Sequence, residues 1–359
     1  MAYSINGKDH FSTKLWTGTG AENAITGVGF RPDFVWIKQR DYTRNHNLFD
    51  IVRGVTKRIY SDDTSPEDTV AQTLKSFDSD GFTLGTDTSN NANTGTYLAH
   101  NWKAGNSQGS ANTDGSINTT YTSVNTTAGF SISQYTGTGS NATIGHGLTK
   151  PPKMIIIKST THSEQWVIGH SNMDDNTADS WDYYINFTSG VREDASDRWQ
   201  DTLPTSSVFS LGTESQVNGS GKTYIAYCWS EIPGYSRFGM YFGNASTDGP
   251  MVNCGFKPAW VLVRNVSATN NWFVQDSKRL GRNFNNHLTK PNSNGADDTG
   301  CHIDILSNGF KVRSSSANNN GSGNYMIYAA FAEAPLVGSN NIPCNARWGE
   351  NKLWQKQET

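Results

Sequence analysis

One short pattern that occurs three times constrains the fold of this chain more than any other feature. Residues 29–38, 147–158 and 255–264 each hold a glycine, a basic residue, a proline and an apolar run that ends in a cation. Proline lacks an N–H and so belongs at the first residue of a strand. An apolar run without alternation is typical of a strand covered on both faces. We therefore predict the central strand of a domain that is present three times.

The spacing of this pattern is that of a small domain. The prolines Pro32, Pro152 and Pro258 lie about 105 to 120 residues apart, which is about the length of one small sandwich domain. Other landmarks keep the same order relative to the prolines, as internal repeats do. A short strand in each copy ends in a polar residue, which is Asp50, His170 or Asp276. The closing aromatic strands span residues 96–102, 223–229 and 325–331, and Glu231 and Glu333 follow the last two at the same offset.

Two dipeptides predict tight hairpin turns. Asp80-Gly81 and Asn308-Gly309 are of the kind that type I′ turns favour, because both central residues of that turn need a positive φ. Apolar residues alternate with polar ones after both dipeptides, as is typical of a half-buried strand. The second copy has no such dipeptide, so its loop should differ.

We predict an all-β fold of three tandem antiparallel β-sandwich repeats, of jelly-roll or lectin-like type. The repeats, which we call the first, second and third copy, are residues 1–105, 130–233 and 234–336. Residues 106–129 form a linker in which an edge strand is expected, and residues 337–359 form a tail with Trp348 and Trp354. The middle of each copy is polar and differs between copies, at residues 56–74, 173–203 and 280–301. We expect surface loops or strand-loop excursions there that carry binding specificity.

The composition argues against several classes of protein. Lys and Arg number 29 against 32 Asp and Glu, and no dense basic block occurs, whereas nucleic-acid binding needs a basic face. No stretch approaches the roughly 20 apolar residues of a membrane span, and no signal-peptide pattern is expected at the N-terminus. The four cysteines form no close pairs, so we expect free thiols, no metal site and no cofactor.

Polar residues that resemble catalytic groups have simpler interpretations. Asp50, His170 and Asp276 share a position but differ in type and lack a nucleophile motif, so we interpret them as strand ends that make hydrogen bonds. We predict no catalytic residues and no enzyme. An acidic cluster in the second copy is interpreted as a solvated loop, with calcium binding or glycoside hydrolysis left open. Its members are Asp174, Asp175, Asp179, Asp182, Glu193, Asp194, Asp197 and Asp201.

The same loop carries the candidate ligand-binding residues, Trp181, Tyr183 and Trp199. Exposed aromatic rings stack on the apolar faces of sugars, while Asp and Asn side chains bind sugar hydroxyls. We name these three residues as candidate glycan-binding residues. The alternative is that the rings pack beneath the loop or against another subunit.

Several stretches together carry a family resemblance. They are residues 11–18, 32–38, 77–85, 112–117, 145–148, 224–231 and 307–311. The chain resembles, over roughly residues 10–336, a repeated β domain of uncharacterised virion and tail-fibre-like structural proteins of tailed bacteriophages, especially marine ones. The resemblance implies no catalytic residues.

What the resemblance implies is a structural component of a tailed-phage virion. We expect a tail fibre or tail appendage that contacts the host surface. A carbohydrate-binding lectin module, and a capsid decoration or head-fibre protein, are the alternatives. The expected partners are other virion proteins, further copies of the chain in a trimer, and a host-surface glycan. We expect location in the virion after synthesis in the host cytoplasm, with neither nucleic-acid binding nor membrane insertion.

Overall fold

The structure, a computed structural model, describes residues 5–173, 181–187, 190–280, 283 and 285–334. The first copy contains a 3₁₀ turn (Gly7–Asp9), β1 (Phe11–Thr17), β2 (Asn23–Thr26), β3 (Phe34–Gln39), β4 (Asn47–Asp50), β5 (Lys57–Arg58), β6 (Asp68–Thr69), β7 (Leu74–Asp78), β8 (Gly81–Leu84), α1 (Thr88–Asn91) and β9 (Thr96–Trp102).

The linker and the second copy contain β10 (Tyr121–Asn125), β11 (Phe130–Thr136), β12 (Ala142–Gly145), β13 (Met154–Ser159), β14 (Val167–His170), β15 (Tyr183–Tyr184), β16 (Glu193–Asp194), α2 (Ser196–Trp199), β17 (Val208–Leu211), α3 (Ser215–Asn218) and β18 (Thr223–Trp229). The third copy contains β19 (Ser236–Phe242), β20 (Met251–Asn253), β21 (Trp260–Asn265), β22 (Trp272–Asp276), β23 (Asn285–Leu288), β24 (Asp298–Leu306), β25 (Gly309–Val312), α4 (Ala317–Asn320) and β26 (Tyr325–Phe331).

Each copy has a main sheet with the same strand order. The orders are β1-β9-β3-β4, β11-β18-β13-β14 and β19-β26-β21-β22, and neighbouring strands are antiparallel. The proline-led strands β3, β13 and β21 lie inside their sheets, and all their residues are buried. The prediction of an all-β fold with antiparallel sheets is confirmed, and so is the burial of these strands on both faces.

A second sheet covers one face of each main sheet. These outer sheets are β2-β8-β7, β12-β17 and β20-β25-β24-β23. Each outer sheet encloses a local core with its main sheet. In the first copy, Val35 and Ile37 of β3 point into this local core with Phe82 and Leu84 of β8. Each copy is therefore a two-layer sandwich.

The other faces of the three main sheets meet in one shared core. Phe34 and Trp36, which alternate with the local-core residues of β3, lie in it together with residues of the other two copies. The centroid of the Trp102 ring lies 6.1 Å from that of Trp229 in the second copy and 5.7 Å from that of Phe331 in the third. The sandwiches thus follow one another along the chain, but in space they surround a common core.

The two predicted hairpins form, but the prediction that their turns are of type I′ is wrong. Asp78 pairs with Gly81 and Leu306 pairs with Gly309, so the glycine follows the turn and begins the next strand. Neither Asp80 nor Asn308 has a positive φ. The glycines are needed for close approach instead, because a Cβ on Gly81 would lie 1.9 Å from the carbonyl oxygen of a neighbouring strand.

The linker is anchored at both ends of its path. Its strand β10 pairs with β11 and so becomes a fifth strand of the second main sheet. At its beginning, the buried Asp33 Oδ2 accepts hydrogen bonds from the backbone N–H groups of Ala104 at 2.8 Å and Asn106 at 2.9 Å. Asp33 Oδ1 has no partner among the described residues. Burial raises the pKa of Asp33 to about 6, against the effect of these two N–H donors.

The cysteines in the described part of the chain form no disulfide. Cys228, Cys254 and Cys301 are buried free thiols, as predicted. Cys344, Trp348 and Trp354 lie outside the described residues. In the part of the chain that the structure describes, no helix is long and apolar enough to cross a membrane.

The raised pKa of Asp33 predicts a pH dependence of stability. The folded protein holds this proton up to about pH 6, whereas the unfolded chain releases it near pH 3.8, so unfolding becomes easier as the pH rises through this window. Asp33→Asn keeps an oxygen acceptor for both N–H groups and cannot ionise. The free energy of unfolding of the wild-type protein should fall by about 2 kcal/mol between pH 4 and pH 7 because of Asp33, and the variant should not show this fall. Urea unfolding at several pH values measures this, and an unchanged decline in the variant would contradict the assignment.

Candidate functional site

Two of the predicted strand-end residues bond across copy junctions. Asp50 Oδ2 accepts a hydrogen bond from the hydroxyl of Tyr227, in the second copy, at 2.7 Å. His170 Nδ1 accepts from the backbone N–H of Asn172 at 3.1 Å, so its Nε2 carries the proton. That Nε2 donates to the carbonyl oxygen of Tyr328, in the third copy, at 3.2 Å. The first copy is thus bonded to the second, and the second to the third.

The third strand-end residue faces the first copy. Asp276 Oδ2 accepts from Arg279 Nε at 2.6 Å, and both side chains are fully buried. The nearby imidazole of His100, in the first copy, is buried, and burial lowers its pKa to about 3, so it is neutral. Burial alone would raise the pKa of Asp276, but the Arg279 guanidinium and the backbone N–H groups of Lys278 and Arg279 hold it below its ordinary value. The interpretation of all three residues as hydrogen-bonding strand ends is confirmed, and Asp50 and His170 also bond to a neighbouring copy.

Each copy also places a loop on the next copy, and we call these the clamp loops. They connect β5 to β6, β15 to β16, and β23 to β24. Each offers two backbone carbonyl groups four residues apart, from Tyr60 and Thr64, Asn186 and Gly190, or Lys290 and Asn294. They lie within the polar middle segments, which were expected to be strand-loop excursions.

The first carbonyl of each clamp loop accepts from a ring N–H of the next copy. The pairs are Trp166 Nε1 with Tyr60 at 2.8 Å, Trp272 Nε1 with Asn186 at 3.1 Å, and His46 Nε2 with Lys290 at 3.0 Å. His46 Nδ1 accepts from Trp36 Nε1 at 2.9 Å, which leaves the proton on Nε2. Two kinds of ring, tryptophan and histidine, therefore make the same contact at one position.

The second carbonyl accepts from the cation that ends the proline-led strand. Lys158 Nζ donates to Thr64 at 3.0 Å, Lys38 Nζ donates to Asn294 at 3.2 Å, and Arg264 Nη2 donates to Gly190. Burial lowers the pKa of Lys38 and of Lys158 to about 8. These contacts show that the clamp loops hold the copies together, and the expectation that the middle segments carry binding specificity stays a prediction.

The two candidate tryptophans are not exposed stacking surfaces. Trp181 is 5% exposed and Trp199 is 1% exposed, and both belong to the local core of the second copy. Their rings meet edge to face at a centroid distance of 5.5 Å. Gly169 in β14 makes room for them, since a Cβ there would lie 2.4 Å from Trp181 Cζ3 and 3.0 Å from Trp199 Cζ2. The premise of exposed rings for glycan stacking is wrong for these residues, and the packing alternative describes them.

The third candidate, Tyr183, is half-buried at a copy junction. The guanidinium of Arg192 lies 4.5 Å from the centroid of the Tyr183 ring and 5.2 Å from that of Tyr325, in the third copy. A cation therefore occupies a ring face that a sugar would need. Tyr183 contributes to the joint between two copies.

The acidic residues of this loop are only partly described. Asp174, Asp175 and Asp179 lie outside the described residues. Two others have neighbours within the loop, since the Tyr184 hydroxyl donates to Glu193 at 2.6 Å and Arg198 pairs with Asp197 at 2.6 Å. Within the described ranges, no group of three or more His, Cys, Asp or Glu side chains could hold a metal ion.

A surface groove lies between the second and third copies, and we call it the junction groove. One part has a volume of about 440 Å³ and is lined by Pro151, Pro152, Lys153, Ser171, Asn172, Trp181, Leu203, Pro204, Glu231, Arg237 and Phe238. A second part of about 360 Å³ shares Asn172, Arg237 and Phe238 with the first and continues along β19 and β20. Of the three predicted site residues, only Trp181 reaches this groove.

The groove combines charge with apolar surface. Arg237 and Glu231 form an ion pair at 2.7 Å, and the Arg237 side chain is 49% exposed. Leu203 and Met251 are exposed large apolar side chains at its walls. No sequence pattern predicts this groove, although the shared offset of Glu231 and Glu333 indicates that these two residues have a common role.

The bond between Tyr227 and Asp50 predicts a cost for removing one hydroxyl. Tyr227→Phe leaves a buried carboxylate with one donor fewer, so we expect the free energy of unfolding to fall by about 1.5–3 kcal/mol. Tyr235→Phe is the matched control, because its buried hydroxyl has no partner among the described residues. Urea unfolding of both variants measures the difference, and equal effects would contradict the cross-copy bond.

The packing of Gly169 predicts that a single methyl group disturbs the buried tryptophan pair. Gly169→Ala forces rigid rings to move, and we expect a loss of about 1–3 kcal/mol in the free energy of unfolding together with a changed tryptophan emission spectrum. Gly300→Ala is the control, because a Cβ there meets no atom within 4 Å. If Gly169→Ala is as stable as Gly300→Ala, the burial of Trp181 and Trp199 is wrong.

Comparisons with known proteins place the chain in one family. No curated protein matches it, and no solved structure matches it. The profile of one family, with the description "Domain of unknown function (DUF7483)", matches residues 6–335. This match extends over all three copies and the linker. The chain therefore belongs to the DUF7483 family.

Proposed function

We propose that the protein is a structural component of a tailed-phage virion, as a tail fibre or tail appendage that contacts the host surface. Two observations support the proposal. The first is the resemblance of roughly residues 10–336 to virion and tail-fibre-like structural proteins. The second, on which the proposal mainly rests, is that the recurring polar residues make bonds between the copies.

Those residues stabilise the closure of the chain on itself. Acidic and imidazole groups at Asp50 and His170 bond across copy junctions, and so do the buried ammonium groups of Lys38 and Lys158. Groups that could serve chemistry in an open cleft are instead buried in contacts between copies. Such a molecule suits a particle component that must keep its shape outside the cell.

The proposed role also implies partners and a location for the protein. Its partners are other virion proteins and further copies of the chain, with a trimer as the proposed oligomer, and its location is the virion. The carbohydrate-binding alternative loses the exposed rings of Trp181 and Trp199 on which it was based. A capsid decoration or head-fibre protein differs from the main proposal only in its place on the particle.

The test is to locate the protein on purified particles of the phage that encodes it. We expect mass spectrometry of gradient-purified particles to find the chain, and gold-labelled antibodies to mark the tail in electron micrographs. Gold on the head would replace the tail assignment with the capsid alternative. Absence of the chain from particles that contain the other structural proteins would refute the proposal.

A further inference from the structure

Each main sheet has an equivalent strand at one edge. The strands β1, β11 and β19 are equivalent, because Phe11, Phe130 and Ser236 pair with the equivalent residues Trp102, Trp229 and Phe331. In the four-strand order that the three main sheets share, each of these strands stands at the edge. An uncovered side presents free N–H and C=O groups, to which another strand can pair.

The three copies cover this side in two different ways. In the second copy, β10 pairs along β11, with Ser123 opposite Ile132. In the first and third copies a carboxylate takes the place of the strand. Glu333 accepts from the N–H of Thr13 at 3.3 Å, and Glu231 accepts from the N–H of Phe238 at 3.4 Å.

Whether an edge carries a strand or a carboxylate depends on the residue that lies two positions after the closing strand. Glu231 follows Trp229 and Glu333 follows Phe331 at this offset, whereas Ala104 follows Trp102. In the cyclic order of copies, Glu231 reaches β19 of the third copy and Glu333 reaches β1 of the first. Where the residue is Ala104, the edge of β11 is free of a carboxylate and receives β10. The glutamates are therefore caps at places where a strand fits.

The cap on β19 lies beside open space. The junction groove follows β19 along Arg237, Phe238, Gly239, Met240 and Tyr241, where an added strand equivalent to β10 would lie. The cap itself is weak, because its hydrogen bond is long, at 3.4 Å, and the Glu231–Arg237 pair is partly exposed. A strand placed there would exchange one long bond for a ladder of backbone bonds.

We propose that the free edge of β19, with the junction groove, is a strand-acceptor site for an extended segment of another protein chain, and that Glu231 is its displaceable cap. The strand β10 shows the chemistry of the segment that fits. It places Thr122 and Val124 over Gly147, so the partner needs small β-branched residues at alternate positions and antiparallel pairing. This binding site is independent of the virion proposal.

The test uses a fluorescent synthetic peptide with the sequence of residues 119–126 and measures its binding to the whole protein by anisotropy. We expect saturable binding, and we expect Glu231→Ala to lower the dissociation constant at least about threefold, because the cap no longer competes. Glu333→Ala is the matched control, since it removes the equivalent cap on β1 and leaves β19 unchanged. A peptide with proline in place of Ser123 should not bind.

A second variant identifies the edge itself. The N–H of Met240 faces the same side as that of Phe238, two residues before it, so Met240→Pro removes a ladder donor from β19. We expect it to abolish peptide binding while the urea unfolding curve stays cooperative. If the variant does not fold, hydrogen exchange of the wild-type Phe238 and Met240 amides replaces it, and the peptide should slow both. No binding to Glu231→Ala, or binding that leaves these amides unprotected, would overturn the proposal.

Discussion

The closure of three sandwiches around one shared core is the constraint on which the rest of the structure depends. Each main sheet has two apolar faces, and its own outer sheet covers only one of them. The remaining faces cover each other, and this brings polar groups into the junctions. An unpaired buried polar group costs about 1–3 kcal/mol, so these groups are stabilised when they find partners in a neighbouring copy. The hydroxyl of Tyr227 and the imidazole of His170 do so, and no copy satisfies its interior alone.

This requirement also explains how the copies diverge without losing the fold. The acceptors of the clamp loops are backbone carbonyl groups, which every residue possesses. The loop sequences are therefore free to change, provided that the backbone path is kept. The donors need only an N–H at the correct place, and His46, Trp166 and Trp272 supply it from two kinds of ring. Sequence variation in the middle segments is thus compatible with a structural role.

The sequence predicts the strands better than it predicts what covers them. Apolar runs behind Pro32, Pro152 and Pro258 predict strands buried on both faces, and the structure agrees. The partner of the second face is another copy, and a pattern within one copy holds no information about it. The same limit applies to Trp181 and Trp199, whose burial depends on the distant Gly169. The Asp80-Gly81 dipeptide predicts the wrong turn type, because its glycine lies after the turn and allows a neighbouring strand to approach closely.

The differences between copies are most informative where their geometry is the same. At the edges of β1, β11 and β19 the backbone is equivalent, yet one edge carries a strand and the others carry a carboxylate. Packing does not force this difference, because all three edges adjoin the same kind of sheet. Open edges invite pairing with other chains, and an inward-pointing charge is a known means of preventing it. The copies therefore differ in what covers these edges, whereas their clamp loops make the same contacts in all three.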